Sequence, residues 1–390
     1  MDKAVEIGKG LYYVGIKDYD RRVFDALVPL PRGTSYNSYL IKAERSVLID
    51  TVNPGFEQVW LDRIKEVINP QDIQYLVMNH AEPDHAGAVP YFLSLNKKAK
   101  LISSSQGKNL ALRFYGVAED RIIVAQDGDT VSLGDRQLRF ISAPMLHWPE
   151  TMFTYLEDAA VLFTCDFFGF HSAKGLFDSD FEDIEFEAKK YYGEIMMPFS
   201  AMGKKAMDKI KGLNINLICP SHGPIYQNPQ RIVSLYDKWV SGRTDEKVIF
   251  VYVSMWKNIE GMVDRMTDKL LAAGVKFGRY NFLNSDPGDI CADLVDSRAI
   301  VFGAATVLSS MHPLGIYAAN LVRLLKPPAK YAVLLSSYGW AESASKEMQN
   351  IFSKMQFELV GSKITNGPAS EQDLKEVDAL TEKLMQKIKE

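Results

Sequence analysis

The chain has 390 residues, 47% of them hydrophobic and 24% charged, with 45 basic against 49 acidic side chains and a net charge of −4. That length suits two domains better than one core, and the composition is that of a globular chain, not a disordered one. No basic surplus is available to hold a phosphate backbone, so a nucleic-acid partner is set aside.

The first twenty residues lack a long apolar stretch followed by a small-residue cleavage site, so they do not read as a signal peptide. No uninterrupted apolar run reaches the length that crosses a bilayer, and no membrane association is expected. Residues 38–41 and 46–49 read as short strands, and 55–68 as a helix stopped by Asn69-Pro70. Residues 73–78 read as a buried strand that ends at the polar cluster from Asn79 to His85. Further strands are expected at about 100–104, 121–125, 137–142 and 161–164, with a helix at about 106–115. This mixture points to a sheet-on-sheet core covered by helices. The polar stretch 241–247 reads as a linker, which sets the expected domains at 1–245 and 246–390. Beyond it, strands at 248–253, 275–282, 299–304, 331–336 and 357–364 alternate with five helices. That is the pattern of a doubly wound parallel sheet. No internal repeat or low-complexity tract interrupts it.

The three cysteines, Cys165, Cys219 and Cys291, lie far apart. They imply no disulfide framework and suit a reducing cytoplasm. CxxC pairs are lacking, so no attached rubredoxin or ferredoxin module is expected, and an electron donor would be a separate molecule.

Six histidines are present, and most sit in ligand-like surroundings. In His80-Ala81-Glu82-Pro83-Asp84-His85, alternate residues of an extended segment share one face, so His80, Glu82 and Asp84 are expected to converge. Pro83 biases Glu82 toward extended geometry, and His85 joins from the side. His147, Asp166 and His222 follow at the ends of expected strands. Together they offer four imidazoles and three carboxylates, enough for two metal ions with one bridging carboxylate. Cys165 is expected to aim away from Asp166, since neighbours on a strand point to opposite faces. A thiolate-free set of imidazole and carboxylate suits iron or manganese better than structural zinc. Taken singly, each residue has a plain reading: a hydrogen-bonded histidine, a helix cap at Asp84, a turn at Asp166.

With these residues in view, the chain resembles the metallo-β-lactamase fold, and Glu82, where zinc hydrolases of that fold carry a histidine, is similar to the flavodiiron proteins. The segments Gly33–Leu40 and Met145–Met152 are also similar to that family. The resemblance implies an αββα sandwich followed by a flavodoxin-like domain. It implies that His80, Glu82 and His147 bind one iron, that Asp84, His85 and His222 bind the other, and that Asp166 bridges. Asp25 falls where many members carry a histidine near the metals, which puts a proton-donating role there in question. His171 is the catalytic candidate, a proton donor just outside the ligands, or else an ordinary loop histidine.

Three loops at one sheet edge are candidates for FMN: Ser254-Met255-Trp256-Lys257-Asn258-Ile259, Ala304-Ala305-Thr306-Val307, and Ser337-Tyr338-Gly339-Trp340. Ile259 stands where the family expects a threonine. Losing that hydroxyl from a charged phosphate costs about 1.5–3 kcal/mol, and Lys257 compensates by charge. The implied activity is reduction of dioxygen to water, of nitric oxide to nitrous oxide, or both. The donor would be rubredoxin, a flavoprotein reductase or a reduced deazaflavin, and the assembly a head-to-tail homodimer or a dimer of dimers. The rivals are a dinuclear zinc hydrolase with a flavodoxin-like regulatory domain, and an electron-transfer protein with a degenerate metal site.

Overall fold

The computed structural model describes residues 3–390, and their contacts divide into two compact units. One holds residues up to Tyr191 with Phe199–Val240, and the other Tyr192–Pro198 with Ser241–Glu390.

The first unit is built on two sheets. Seven strands form one, in the spatial order Val5–Gly8, Leu11–Tyr13, Tyr39–Ile41, Ser46–Ile49, Ile73–Val77, Lys100–Ser103, Ile122–Val124. The first four pair antiparallel, and from Ser46–Ile49 onward the pairing is parallel. Five strands form the other: Thr130–Ser132, Gln137–Ser142, Met152–Leu156, Val161–Cys165, Leu217–Pro220. Only its last pair is parallel.

The period of two along each strand sorts the side chains between two cores. Tyr39, Ile41, Val47, Ile49, Val77 and Ile102 meet Leu138, Phe140, Met152, Val161 and Phe163 of the second sheet. Leu40, Leu48, Leu76 and Leu101 face the other way, onto Trp60, Phe92 and Ala111. Those three belong to helices Glu57–Lys65, Val89–Leu95 and Ser105–Tyr115. The last begins where the Ser104 side chain accepts from Gly107 N at 3.1 Å, and ends at Gly116 in the left-handed region. Helices Ile184–Tyr191, Ser200–Ile210 and Pro229–Val240 also belong to this unit, and Tyr236 packs on Phe167 and Phe168. The expected sheet-on-sheet core with covering helices is present. The structure adds short strands that the sequence pattern does not signal. Among them are the pairs Ile16–Asp18 with Thr34–Tyr36 and Val23–Phe24 with Val28–Pro29. Strands of two or three residues are too short to display alternation.

In the second unit the parallel order is Lys276–Asn281, Asp245–Val253, Ser297–Val307, Tyr331–Tyr338, Glu358–Asn366. Numbered along the chain this is 2-1-3-4-5, the flavodoxin-like order, with its switch point beside the first and third strands. Ser310–Met311 folds back antiparallel on the third strand, held by Glu347, which accepts from Met311 N at 3.0 Å.

Leu48 is fully buried between the first sheet and its helices. Leu48→Ala is expected to cost about 2–5 kcal/mol. Calorimetry of the full chain should show the transition of the first unit falling and that of the second unchanged.

Candidate metal centre and cofactor cavity

The polar cluster begins where Ile73–Val77 ends. Asp50 pins this exit by accepting from Asn79 N at 2.7 Å and Asn79 Nδ2 at 3.1 Å. Asn79 Oδ1 accepts in turn from Thr154 Oγ1 at 2.7 Å, which ties the exit to the second sheet. His80 to Glu82 run extended, and Pro83 starts the short helix Pro83–Ala86 with Glu82 at its extended N-cap. Alternation therefore holds for His80 and Glu82 only. Asp84 leaves that face because the chain has turned helical, and it goes to a different cluster together with His85.

The side chains converge as two sets. His80 Nε2 and His147 Nε2 lie 3.1 and 3.0 Å from Glu82 Oε2, and 3.5 and 3.4 Å from Asp166 Oδ2. His85 Nε2 and His222 Nε2 lie 3.3 and 3.1 Å from Asp84 Oδ2, and 3.0 and 3.5 Å from Asp166 Oδ1. Donors held about 2.0–2.2 Å from one ion are separated by roughly 2.8–3.6 Å. Both sets have that spacing, and each takes one oxygen of Asp166.

All seven residues are buried or nearly so. Both oxygens of Asp84, both of Asp166 and both ring nitrogens of His85 make no hydrogen bond. Unsatisfied buried groups of this kind are costly, and bound cations would satisfy the carboxylate oxygens and His85 Nε2. The electrostatics agree. Burial would lower the His80 ring, but hydrogen bonds to Glu150 and Glu82 hold it well above its usual pKa. Burial likewise opposes the rise of His85 and His147, yet Asp84 and Asp166 push the first to about 9, and Asp166 and Glu82 the second to about 9. Burial alone would raise the Asp166 carboxyl, but His85 and its neighbours drive it well below the carboxylate range. Imidazoles that keep protons only because carboxylates surround them exchange those protons for metal.

Cys165 departs from expectation. Its Sγ lies within 4.8 Å of donor atoms of His85 and Asp166. Strand alternation does not reach it, because Cys165 closes the strand in the left-handed region at φ 49°. Burial keeps its thiol protonated, with Asp166 and Asp50 adding to the effect. His171 stays outside both donor sets. Its Nδ1 lies 2.9 Å from Thr34 Oγ1, and its ring centroid 4.7 Å from that of His222. Burial and then His222 push its pKa well below the usual value, so the ring is neutral. Asp25 tops the Val23–Phe24/Val28–Pro29 hairpin, and burial and then Glu82 raise its carboxyl. Phe24 from the same hairpin lies 4.6 Å from the His171 ring.

Two features carried no mark in the sequence. Glu150 Oε1 lies 2.7 Å from His80 Nδ1 and accepts from Ala81 N at 2.8 Å. The Ser35 carbonyl lies 2.5 Å from His222 Nδ1. Gly223 makes that turn possible: at φ +74° a Cβ there would meet the Phe170 carbonyl at 2.6 Å.

In the second unit, a cavity of about 290 Å³ opens at the carboxyl edge of the sheet. Met255, Trp256, Asn258, Ala305, Thr306, Val307, Ser337, Tyr338, Gly339 and Trp340 line it. Leu308, Ser309, Ala341 and Gly367 do so as well, beyond the residues expected. Four expected residues are not in its wall. Ile259 is buried in the core under Gly303, and Ala304 is buried beside Gly315. Ser254 Oγ accepts from Glu260 N at 3.2 Å, and Lys257 is exposed. Trp256, Lys257, Leu308 and Ser309 all take positive φ. Each such residue costs about 1–2 kcal/mol, and strain of this kind gathers at functional sites. Trp256 and Trp340 are 88% and 80% exposed at the rim, unusual for side chains that large.

Residues 34–223 match the family described as ODP family beta lactamase. Nitric oxide reductase of Moorella thermoacetica is 34% identical over 367 residues, 92% of each chain. Anaerobic nitric oxide reductase flavorubredoxin of Escherichia coli is 31% identical over 370 residues, 91% of this chain and 76% of the relative. Among solved structures, rubredoxin oxygen:oxidoreductase from the anaerobe Desulfovibrio gigas superposes with a TM-score of 0.96 at 26% identity, covering 99% of both chains. The flavodiiron protein of Giardia intestinalis superposes with a TM-score of 0.93 at 27% identity, covering 99% and 98%.

Asp166→Ala removes the one carboxylate common to both donor sets and is expected to abolish binding at both. Elemental analysis after exposure to ferrous iron should find both positions empty, with the melting of the second unit unchanged.

Proposed function

The chain belongs to the flavodiiron protein family, and from that premise we propose that it reduces dioxygen to water, nitric oxide to nitrous oxide, or both, at a non-haem di-iron centre fed by FMN. The observation that carries this reading is Asp166, with one carboxylate oxygen in each of two donor sets. His80, Glu82 and His147 would hold one iron, and Asp84, His85 and His222 the other. Three carboxylates offset most of the charge of two ferrous ions, which a buried site requires. No thiolate is among these seven donors, which suits iron. The dinuclear zinc hydrolase reading is not favoured: Glu82 stands in place of a histidine, and the relatives named above are oxidoreductases.

FMN suits the second cavity. The helix Asn258–Ala272 begins there; Asn258 N and Glu260 N are taken up by the Met255 carbonyl and Ser254 Oγ, and what the helix start offers a phosphate is the positive end of its dipole. Asn258, Thr306 and Ser337 supply polar atoms around the cavity, and Trp256, Tyr338 and Trp340 supply flat surface for an isoalloxazine ring. When bound, the flavin takes electrons in pairs and iron takes them singly, which together meets the four electrons of dioxygen or the two needed for a pair of nitric oxide molecules.

The residues of this chain do the rest. The seven donors fix the ions and keep their charge buried. Neutral His171, beside His222 and Thr34, presents a ring that can pass a proton without carrying a standing charge. Phe24 packs over His171 and His222 and limits water at that side. Among the described residues no helix is long and apolar enough to cross a membrane. We assign the chain to the cytoplasm, where its three buried free cysteines would stay reduced. Electrons would arrive from a separate donor: rubredoxin, a flavoprotein reductase or a reduced deazaflavin. A head-to-tail homodimer, or a dimer of dimers, would bring the flavin of one subunit beside the irons of the next.

The test is metal and flavin analysis, followed by anaerobic turnover of each gas with reduced rubredoxin. Two irons and one FMN per chain are expected, with turnover of at least one gas. Two zinc ions and no gas reduction would refute the reading. His147→Ala should abolish turnover while leaving FMN bound. Trp340→Ala should weaken FMN binding by about 2- to 10-fold, the worth of one aromatic stack, measured by fluorescence titration of the apoprotein.

A further inference from the structure

We infer that Glu150 makes the two metal positions unequal: bound to the His80 ring, it tightens iron at the His80–Glu82–His147 position and makes that iron the harder of the two to reduce. The inference rests on the di-iron reading above.

The imidazole and carboxylate donors of the two sets match, and beside the second lies the Cys165 thiol, which burial keeps protonated. Each has two imidazole nitrogens, one carboxylate oxygen of its own and one oxygen of Asp166. The charged asymmetry comes from what touches the donors from behind. There the two positions part. His80 Nδ1 lies 2.7 Å from Glu150 Oε1, a carboxylate oxygen. His222 Nδ1 lies 2.5 Å from the Ser35 carbonyl, a neutral acceptor. His85 Nδ1 makes no hydrogen bond at all.

Glu150 is built to stay in place. It is 1% exposed. The same Oε1 accepts from Ala81 N at 2.8 Å, and the Glu150 carbonyl accepts from Ser104 Oγ at 2.7 Å. Its Oε2 is buried and makes no hydrogen bond. A cavity of about 310 Å³, lined by Ser104, Gln106, Pro149 and Glu150 among others, adjoins it. Apart from the histidine, only backbone N–H groups meet the carboxylate, and no other charged side chain pairs with it. Asp50 is the other buried carboxylate near the cluster, but both its oxygens accept from Asn79 and neither bonds a ligand ring.

A carboxylate behind a ligand histidine orients the ring and raises its basicity, and removing such a partner typically costs 10–100-fold in metal affinity. Added negative charge also favours the higher-charged ion, so iron at this position holds its ferric state longer. Glu150 is thus a positioning residue that acts through His80.

The test uses the full chain with one metal position disabled at a time. With His222→Ala, iron is left to the His80–Glu82–His147 position; with His147→Ala, to the other. Glu150→Gln keeps the hydrogen-bond acceptor and removes the charge. In the His222→Ala chain it should raise the iron dissociation constant, measured by chelator competition, about 10–100-fold, and move the midpoint potential of that iron upward. In the His147→Ala chain it should change neither. Equal weakening in both chains, or no change in either, would overturn the inference while leaving the di-iron reading intact. A wild-type chain that takes up no iron would overturn both. FMN binding and apoprotein melting, unchanged by Glu150→Gln, separate the result from a folding defect.

Discussion

The rest of the first unit is organised around one constraint: a single buried carboxylate, Asp166, must reach two donor sets at once. Its Oδ1 and Oδ2 face different histidine pairs, so both pairs must arrive from opposite sides with little tolerance. They come from three separate chain exits, and Asp166 stands at a fourth. The His80–His85 segment leaves the first sheet after Val77, while His147, Asp166 and His222 stand at or beyond ends of strands in the second. Only a sandwich whose two sheets are locked in register brings these exits together. The inter-sheet core, with Tyr39, Val47, Val77, Phe140 and Phe163, supplies that lock. Buried carboxylates and imidazoles repay their desolvation only when paired or metal-bound. Stability of this unit and occupancy of its site are therefore linked, because an ion that binds the folded chain alone stabilises it by mass action.

The two units solve different problems. The metal site is closed and buttressed. Asp50, Asn79, Thr51 and Thr154 hold its backbone, and Glu150 and Ser35 address its rings. The cavity of the second unit is open, with two tryptophans exposed at its rim and four non-glycine residues in left-handed conformation. A small gas needs little recognition but a rigid cage for the ions. A planar cofactor needs flat surface, a phosphate grip and an exposed edge through which electrons can pass. Ile259 is turned into the core beneath Gly303 and does not line that cavity.

Much of this was legible along the chain because it depends on short-range rules. Alternation of apolar residues marks strands such as Ser46–Ile49 and Ile73–Val77, and β/α alternation past residue 241 marks the parallel sheet. Ligand-type residues packed between His80 and His85 mark a metal site, since few other uses bring so many together. Short-range rules stop where the local backbone changes conformation. Extended alternation grouped Asp84 with His80 and Glu82, but Pro83 begins a helix and sends Asp84 to the other set. The same rule turned Cys165 away, yet its positive φ at the strand end brings it toward the cluster.

By itself, then, the sequence determined the kinds of donor present, the strand ends that carry them and the order of the two units, all matters of residue type and local period. Residue spacing did not sort the donors into two sets, which only the family resemblance implied; tertiary structure brings each set together, turns Asp166 toward both, and gives His80 rather than His222 a charged partner. The reason is distance along the chain. Glu150 lies 70 residues from His80 and Ser35 lies 187 from His222. Contacts that remote are set by which strand ends the packed sheets bring together, and local spacing carries no record of that.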